Sequence, residues 1–313
     1  MSEFDWIEKY LRPIASGTGA QGLLDDVALV SASSGAHPFV VTMDTLVEGV
    51  HFLASDPPGT LGQKIARVNI SDIICKGALP RQAMLSVAIS DAFNETAFES
   101  FCGGLKQDLE QWDIELLGGD LVSTPGPLVL TLALTGECLG DSPVSRSGAC
   151  VGDGLYVTGR PGAGCLGLEH AIAGHDSEWA RHYRVPDIPK PDIANIVSGF
   201  ATASIDISDG VIAEARHISH ASSVGVSVNL DAVPWAETVS TPERAIELGA
   251  GGDDYQTLMT VPSTRETACL DAAERAGLSL ARIGEVEPGH EVRLLWHGDE
   301  IAAPPKLGYQ HQS

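Results

Sequence analysis

Alternation with period two is clearest in "LVLTLALTGE", where Leu128, Leu130, Leu132 and Leu134 fall on one face, and it predicts a half-buried strand. "FVVTMDTL" (39–46) and "AMLSVAIS" (83–90) are rich in β-branched and aliphatic residues and read as two more strands. Between them, "TLGQKIARVNISDIICKGA" (60–78) is too long for a strand, carries Ile65, Val68 and Cys75 at helical spacing and has a glycine near its end. It predicts a helix that is apolar nearly all round and therefore buried. A second helix, "NETAFESFCGGLKQDLEQW" (94–112), precedes "IELLGGD".

The turn-rich stretch "GECLGDSPVSRSGACVGDG" (136–154) is the best domain boundary in the chain. Beyond it, strands such as "LYVTG" and "ASIDIS" alternate with helical segments such as "GVIAEARHISHASS", an α/β pattern. A length of 313 residues predicts about two domains, here 1–140 and 141–313, and a sizeable core.

Aspartates interrupt this apolar pattern at recurring places. In "ASIDIS", Ala203, Ile205 and Ile207 share one face and Ser204, Asp206 and Ser208 the other, with Asp209 opening the next helix. Asp206 and Asp209 can then point into one pocket at the strand's carboxyl end, where open α/β sheets bind ligands. Taken alone, Asp209-Gly210 reads more readily as a turn, and Asp209 or Ser208 as a helix cap. The placement recurs, however: Asp25 and Asp26 precede the aliphatic "VALV", Asp44 sits in a strand, and Asp120 follows two glycines. Asp72 lies on the same helical stripe as Ile65, Val68 and Cys75, where an ionised carboxylate must be paired or bound to a cation. Two unit charges 4 Å apart repel by about 4 kcal/mol at an effective dielectric near 20, so the acids are either scattered or hold hard cations. All-oxygen aspartate ligation suits magnesium, completed by water and substrate phosphates.

Composition narrows the partners. Forty-two acids against 19 bases give a formal charge of −23, which repels nucleic acid and anionic membrane surfaces, so a bound phosphate needs cations with it. The six cysteines include no C-x-x-C pair and no zinc-finger spacing, and read as small buried hydrophobes of a reducing compartment. The N-terminus "MSEFDWIEKYLRP" has no apolar core of a signal peptide, and the longest strongly apolar run, 128–136, is short of the roughly 20 residues a membrane helix needs. A soluble, cytoplasmic protein is expected.

One motif competes. "GAGCLG" (162–167) matches G-x-G-x-x-G between a strand and a helix, as a dinucleotide fold requires, and Asp187 stands about 20 residues on. That aspartate lies in "VPDIPKP", which prolines exclude from a central strand, so a plain glycine turn explains the motif better. No P-loop and no protein-kinase signature occurs.

In order along the chain, "DDVAL", "MDTLVEGVHF", "VNISDI" with "GALP", "GGDLVSTPGP", "SRSGACVGD", "IDISDG", "GGDDY", "RIGEV" and "GYQH" resemble the thiamine-monophosphate kinase family. That family belongs to an ATP-binding superfamily with aminoimidazole ribonucleotide synthetase and selenophosphate synthetase. The resemblance implies a two-domain α+β fold, with a mixed N-terminal sheet and a C-terminal α/β domain, and ATP and thiamine monophosphate as substrates. It implies magnesium held by Asp26, Thr42, Asp44, Asp72, Asp120, Asp206 and Asp209 with the Met43 backbone, and catalysis centred on Asp72, Asp120 and Asp209. Gly119, Asp120, Arg146 and Ser208 are implied at ATP, and His51, Asp253 and Tyr309 at thiamine phosphate. A homodimer paired through its N-terminal domains is implied too. The sequence departs from the family pattern in three places: Leu24 stands for a glycine, Asp253 and Gln256 stand for glutamates, and no aromatic follows the histidine of "GYQHQ". A relative using another acceptor, or a nucleotide-binding protein without turnover, remains open on the sequence.

Overall fold

The computed structural model describes residues 12–13, 18–30, 38–304 and 308. Two sheets organise it. The first has the order β1-β2-β5-β3-β4, formed by β1 (Ala28–Val30), β2 (Phe39–Val47), β3 (Ala78–Ser90), β4 (Glu115–Thr124) and β5 (Val129–Cys138). All of its pairings are antiparallel except β3 with β4. The predicted helix is α1 (Pro58–Ile74), with proline at its first position, and it ends in a turn at Cys75–Gly77. Helix α2 (Glu95–Gln111) is capped by the Asn94 side chain, which accepts from the Ala97 amide.

The leucine alternation does what its period demands. Leu130, Leu132 and Leu134 are fully buried beside Val40 and Leu46 on the face that α1 covers. Helices α1 and α2 touch backbone to backbone: a Cβ on Gly62 would lie 2.2 Å from the Phe101 carbonyl oxygen, and one on Gly104 1.9 Å from that of Gly59. The sheet's other face is bare, leaving Met43, Met84 and Val122 about half exposed or more.

The second sheet has the order β12-β11-β8-β10-β6-β9-β7. Its strands are β6 (Asp153–Thr158), β7 (Ala203–Asp206), β8 (Gly225–Asn229), β9 (Thr257–Pro262), β10 (Leu280–Glu287), β11 (Val292–Trp296) and β12 (Asp299–Ile301). They alternate with helices α3 (Ala163–Ile172), α4 (Glu178–Arg184), α5 (Asp192–Phe200), α6 (Val211–Ser222), α7 (Pro242–Gly249) and α8 (Glu266–Ala276). The alternation of strand and helix read in the sequence is present, yet pairing is antiparallel throughout except between β8 and β11. Strands β6 and β7 are buried along their whole length. Helix α1 belongs to the first sheet, but it and the turn after it also reach the second: the Ser71 hydroxyl donates to Asp206 at 2.9 Å and Lys76 Nζ to the Ser204 carbonyl at 2.6 Å.

Candidate functional site

A cleft of about 1070 Å³ opens where α1, the end of β7 and the turn before β1 converge. Asp26, Thr42, Met43, Asp44, Asp72, Arg146, Asp206, Ser208 and Asp209 line it, as do His51 and Asp253. Strand pleating turns Thr42 and Asp44 toward α1, and the Asn69 side chain fixes the Asp44 amide at 3.2 Å. Thr42 Oγ1 donates to Asp72 Oδ2 at 2.5 Å. From the second sheet come Asp206, whose carboxylate takes the Ser71 hydroxyl, and Asp209, whose amide is held by Glu214 at 3.1 Å.

These acids face one another without enough counter-charge. Burial and the charge of Asp26 raise the Asp44 carboxyl to about 6. Burial and Asp26 push Asp206 up to about 7. Asp72 rises well above the carboxylate range through burial and through Asp206, Asp44 and Asp26. Asp26 goes the other way: burial opposes its charge, but Arg146 and Lys76 overcome that and hold it at about 2. Those two cations are the chain's own. Lys76 is fully buried, pairs with Asp26 and lies 3.1 Å from Asp25, and the Arg146 guanidinium pairs with Asp26.

Oxygen donors with unmet negative charge fit a hard divalent cation. Asp26, Cys75 and Asp206 place ligand atoms within 4.8 Å of one another, but burial keeps the Cys75 thiol protonated and it donates to the Asp72 carbonyl. The carboxylates are therefore the donors that remain.

A pH dependence follows. Cation binding must displace protons from Asp44 and Asp206 below about pH 7, so the rise in melting temperature caused by magnesium should be larger at pH 8 than at pH 5.5. Without cation, acids with raised pKa bind more protons folded than unfolded, so they weaken the fold as pH climbs from about 4 through about 7. His182 and His217, lowered by burial to about 4, act in the opposite sense below pH 6.5. The magnesium increment, rather than the bare melting temperature, is thus the quantity to compare, and an equal increment at both pH values would refute the clustering.

Also in the cleft, His51 Nδ1 accepts from the Val47 amide at 3.0 Å, which leaves the proton on Nε2. Asp253 (φ +69°) and Tyr255 (φ +49°) both lie in the left-handed region, a backbone cost that non-glycine residues bear mainly at functional sites. The Tyr255 hydroxyl donates to Asp253 at 3.0 Å. Lys64, 1% exposed, also holds Asp253. Neither Lys64 nor Lys76 was singled out from the sequence, although two lysines in a helix read as buried all round are themselves a signal that internal acids await them.

Two implied residues lie elsewhere. Gly119 and Asp120 are on β4, every position of which up to Ser123 is exposed. Asp44 pairs across to Leu132, Leu132 to Leu85 and Leu85 to Gly119, so Gly119 is three strand spacings away, about 14 Å. Asp120 pairs with Ser86, in the row of Thr131 and Thr45, and thus projects from the bare face, opposite to Asp44. Gly119 itself is required where it is, since a Cβ there would stand 1.6 Å from the Leu85 carbonyl oxygen. Tyr309 lies outside the described residues.

The glycine motif at 162–167 has a different occupant from a nucleotide. The buried Asp254 carboxylate accepts from the amides of Gly162 at 2.8 Å and Gly164 at 2.9 Å, filling the N-terminus of α3. Asp187, which would have read a ribose, is exposed on the loop after α4.

Two sheets sharing one helix, with carboxylates from both around a single cleft, define a protein of the AIR synthase type. Residues 24–138 match the family model "AIR synthase related protein, N-terminal domain" and residues 151–297 match its C-terminal counterpart. The chain is 35% identical to the thiamine-monophosphate kinase of Caulobacter vibrioides over 99% of its own length and 91% of that protein. Against the Escherichia coli K12 thiamine-monophosphate kinase it is 33% identical over 96% of this chain and 99% of that one. A solved structure, AaThiL complexed with AMPPCP and TMP, superposes with a TM-score of 0.83 at 29% identity, covering 99% of this chain and 97% of that one. The chain belongs to the thiamine-monophosphate kinase family.

Proposed function

We propose that this chain transfers the γ-phosphoryl group of ATP to thiamine monophosphate, giving ADP and thiamine diphosphate. The observation that carries the reading is the cleft itself: a carboxylate cluster together with His51 and Asp253 in its lining, in a chain whose full-length relatives are such kinases.

The acceptor is a phosphate oxygen already largely ionised near neutral pH, because the second pKa of a phosphomonoester is about 6, so no strong general base is needed. The difficulty is bringing two polyanions together. Magnesium, when bound, supplies the positive charge that screens both phosphates. Asp26, Asp44, Asp72, Asp206 and Asp209, with the Thr42 hydroxyl and the Met43 carbonyl, are the donors that would hold it. Arg146 and Ser208 line the same cleft and orient the nucleotide, while His51 and Asp253 orient the thiamine moiety. Catalysis is then mostly positioning and electrostatics.

Gly119 and Asp120 enter this scheme through a homodimer. Pairing through the bare face of the first sheet would cover Met43, Met84 and Val122 and set β4 against a second copy. Unpaired cysteines throughout the described residues suit a reducing compartment, and the cytoplasm is the proposed location. No helix among the described residues is long and apolar enough to cross a membrane.

The test is incubation of purified protein with ATP, magnesium and thiamine monophosphate, with thiamine diphosphate followed as its fluorescent thiochrome and the mass in solution by sedimentation. Magnesium-dependent product from a dimer is expected. A sample that binds ATP without forming product would refute the acceptor assignment, and an active monomer would refute the role given to β4.

A further inference from the structure

Lys64 is a buried lysine without an assigned task, and its surroundings give it one. Its side chain is 1% exposed, and Nζ reaches three groups that border the cleft. It donates to the His51 carbonyl at 3.0 Å, to Asp253 Oδ2 at 3.1 Å, and lies 4.0 Å from the centre of the Tyr183 ring. His51 follows the first sheet's β2, whereas Asp253 and Tyr183 belong to the second half of the chain. The other Asp253 oxygen takes the Tyr255 hydroxyl, so both oxygens are held and the carboxylate has one orientation.

Stability alone does not account for such a lysine, because well-packed apolar groups commonly replace a buried ion pair at no cost. A charge retained here fixes the relative position of two groups that sit on different halves of the chain. We propose that Lys64 is the positioning residue of the acceptor site, setting the Asp253 carboxylate and the His51 loop at the separation that thiamine monophosphate requires. The proposal rests on the kinase reading above. Lys64 acts through Asp253 and His51, and the nucleotide site does not depend on it.

The test combines calorimetric binding of thiamine monophosphate with steady-state kinetics for Lys64→Met, Lys64→Gln, Asp253→Ala and the double variant Lys64→Met/Asp253→Ala. Lys64→Met should raise both Kd and KM for thiamine monophosphate by about ten-fold or more, since a charge-assisted bond is lost, and leave KM for ATP within about two-fold. In the Asp253→Ala background the same substitution should add less than about two-fold, because its target is gone. Lys64→Gln, which keeps a donor, should fall between wild type and Lys64→Met, and it carries the comparison if the methionine variant does not fold. Parallel changes in both KM values, independent effects of Lys64→Met and Asp253→Ala, or unchanged thiamine monophosphate affinity would each overturn the proposal. A wild-type protein that binds thiamine monophosphate yet makes no diphosphate would sink the kinase reading while calorimetry still reports on Lys64. A wild-type protein that does not bind it would overturn both.

Discussion

Asp72→Asn is expected to lower kcat by about 100-fold or more and to raise the magnesium concentration for half-maximal rate by about ten-fold. Asparagine preserves the size of the side chain and can still accept from Thr42 Oγ1, so what disappears is one negative charge. That charge sits among Asp206, Asp44 and Asp26, whose repulsion together with burial already drives the Asp72 carboxyl far up. In EDTA the variant should therefore melt no lower than wild type, and higher at pH 8, where the neighbouring acids are ionised. The opposed signs make the test sharp. A variant that loses activity and stability together would make Asp72 a structural acid, and one that keeps the wild-type rate and magnesium dependence would remove it from the cation site.

Lys76→Met should produce the largest loss of stability of any single substitution considered, about 3–5 kcal/mol, the usual cost of deleting one partner from a buried ion pair. Methionine fills the same space, but Asp25 and Asp26 lose the ammonium that faces both of them, and the Ser204 carbonyl on β7 loses its donor. Arg146 remains beside Asp26 and limits the damage. Saturating magnesium should recover part of the loss, because a divalent ion among these carboxylates restores counter-charge. Urea unfolding in EDTA and in magnesium measures both quantities. A midpoint unchanged by the substitution would show that Lys76 is charge-neutralised by something other than these aspartates.

Much of the architecture was legible because its signals are local. The leucine alternation of β5, the buried stripe of α1 and the turn-rich segment before β6 each follow from a few neighbouring residues, and element ends differ from expectation by only a few positions. Asp26, Asp44, Asp72, Asp206 and Asp209 were likewise visible as acids in the wrong company. What the sequence concealed depends on distant pairings. Lys64 meets an aspartate 189 positions away, and nothing in "QKIARV" says which one. The face on which Asp120 emerges depends on the register of β4, which shifts by one residue where Gly118 pairs with Met84, and a slip of one residue exchanges the two faces of a strand. The antiparallel order of the second sheet was hidden for the same reason, since strand-helix alternation fixes spacing along the chain and says nothing of direction across it.

Asp254 carries a consequence for how glycine-rich turns are read. Its carboxylate is a tethered ligand, present at an effective concentration that a free nucleotide in a cell does not match, so the turn at 162–167 is saturated from the moment the chain folds. A consensus pattern describes a socket, and whether the socket is vacant depends on residues about 90 positions downstream that the pattern does not include. Any attempt to graft dinucleotide binding onto this scaffold would have to begin by evicting the resident acid, and would inherit a helix end with nothing to cap it.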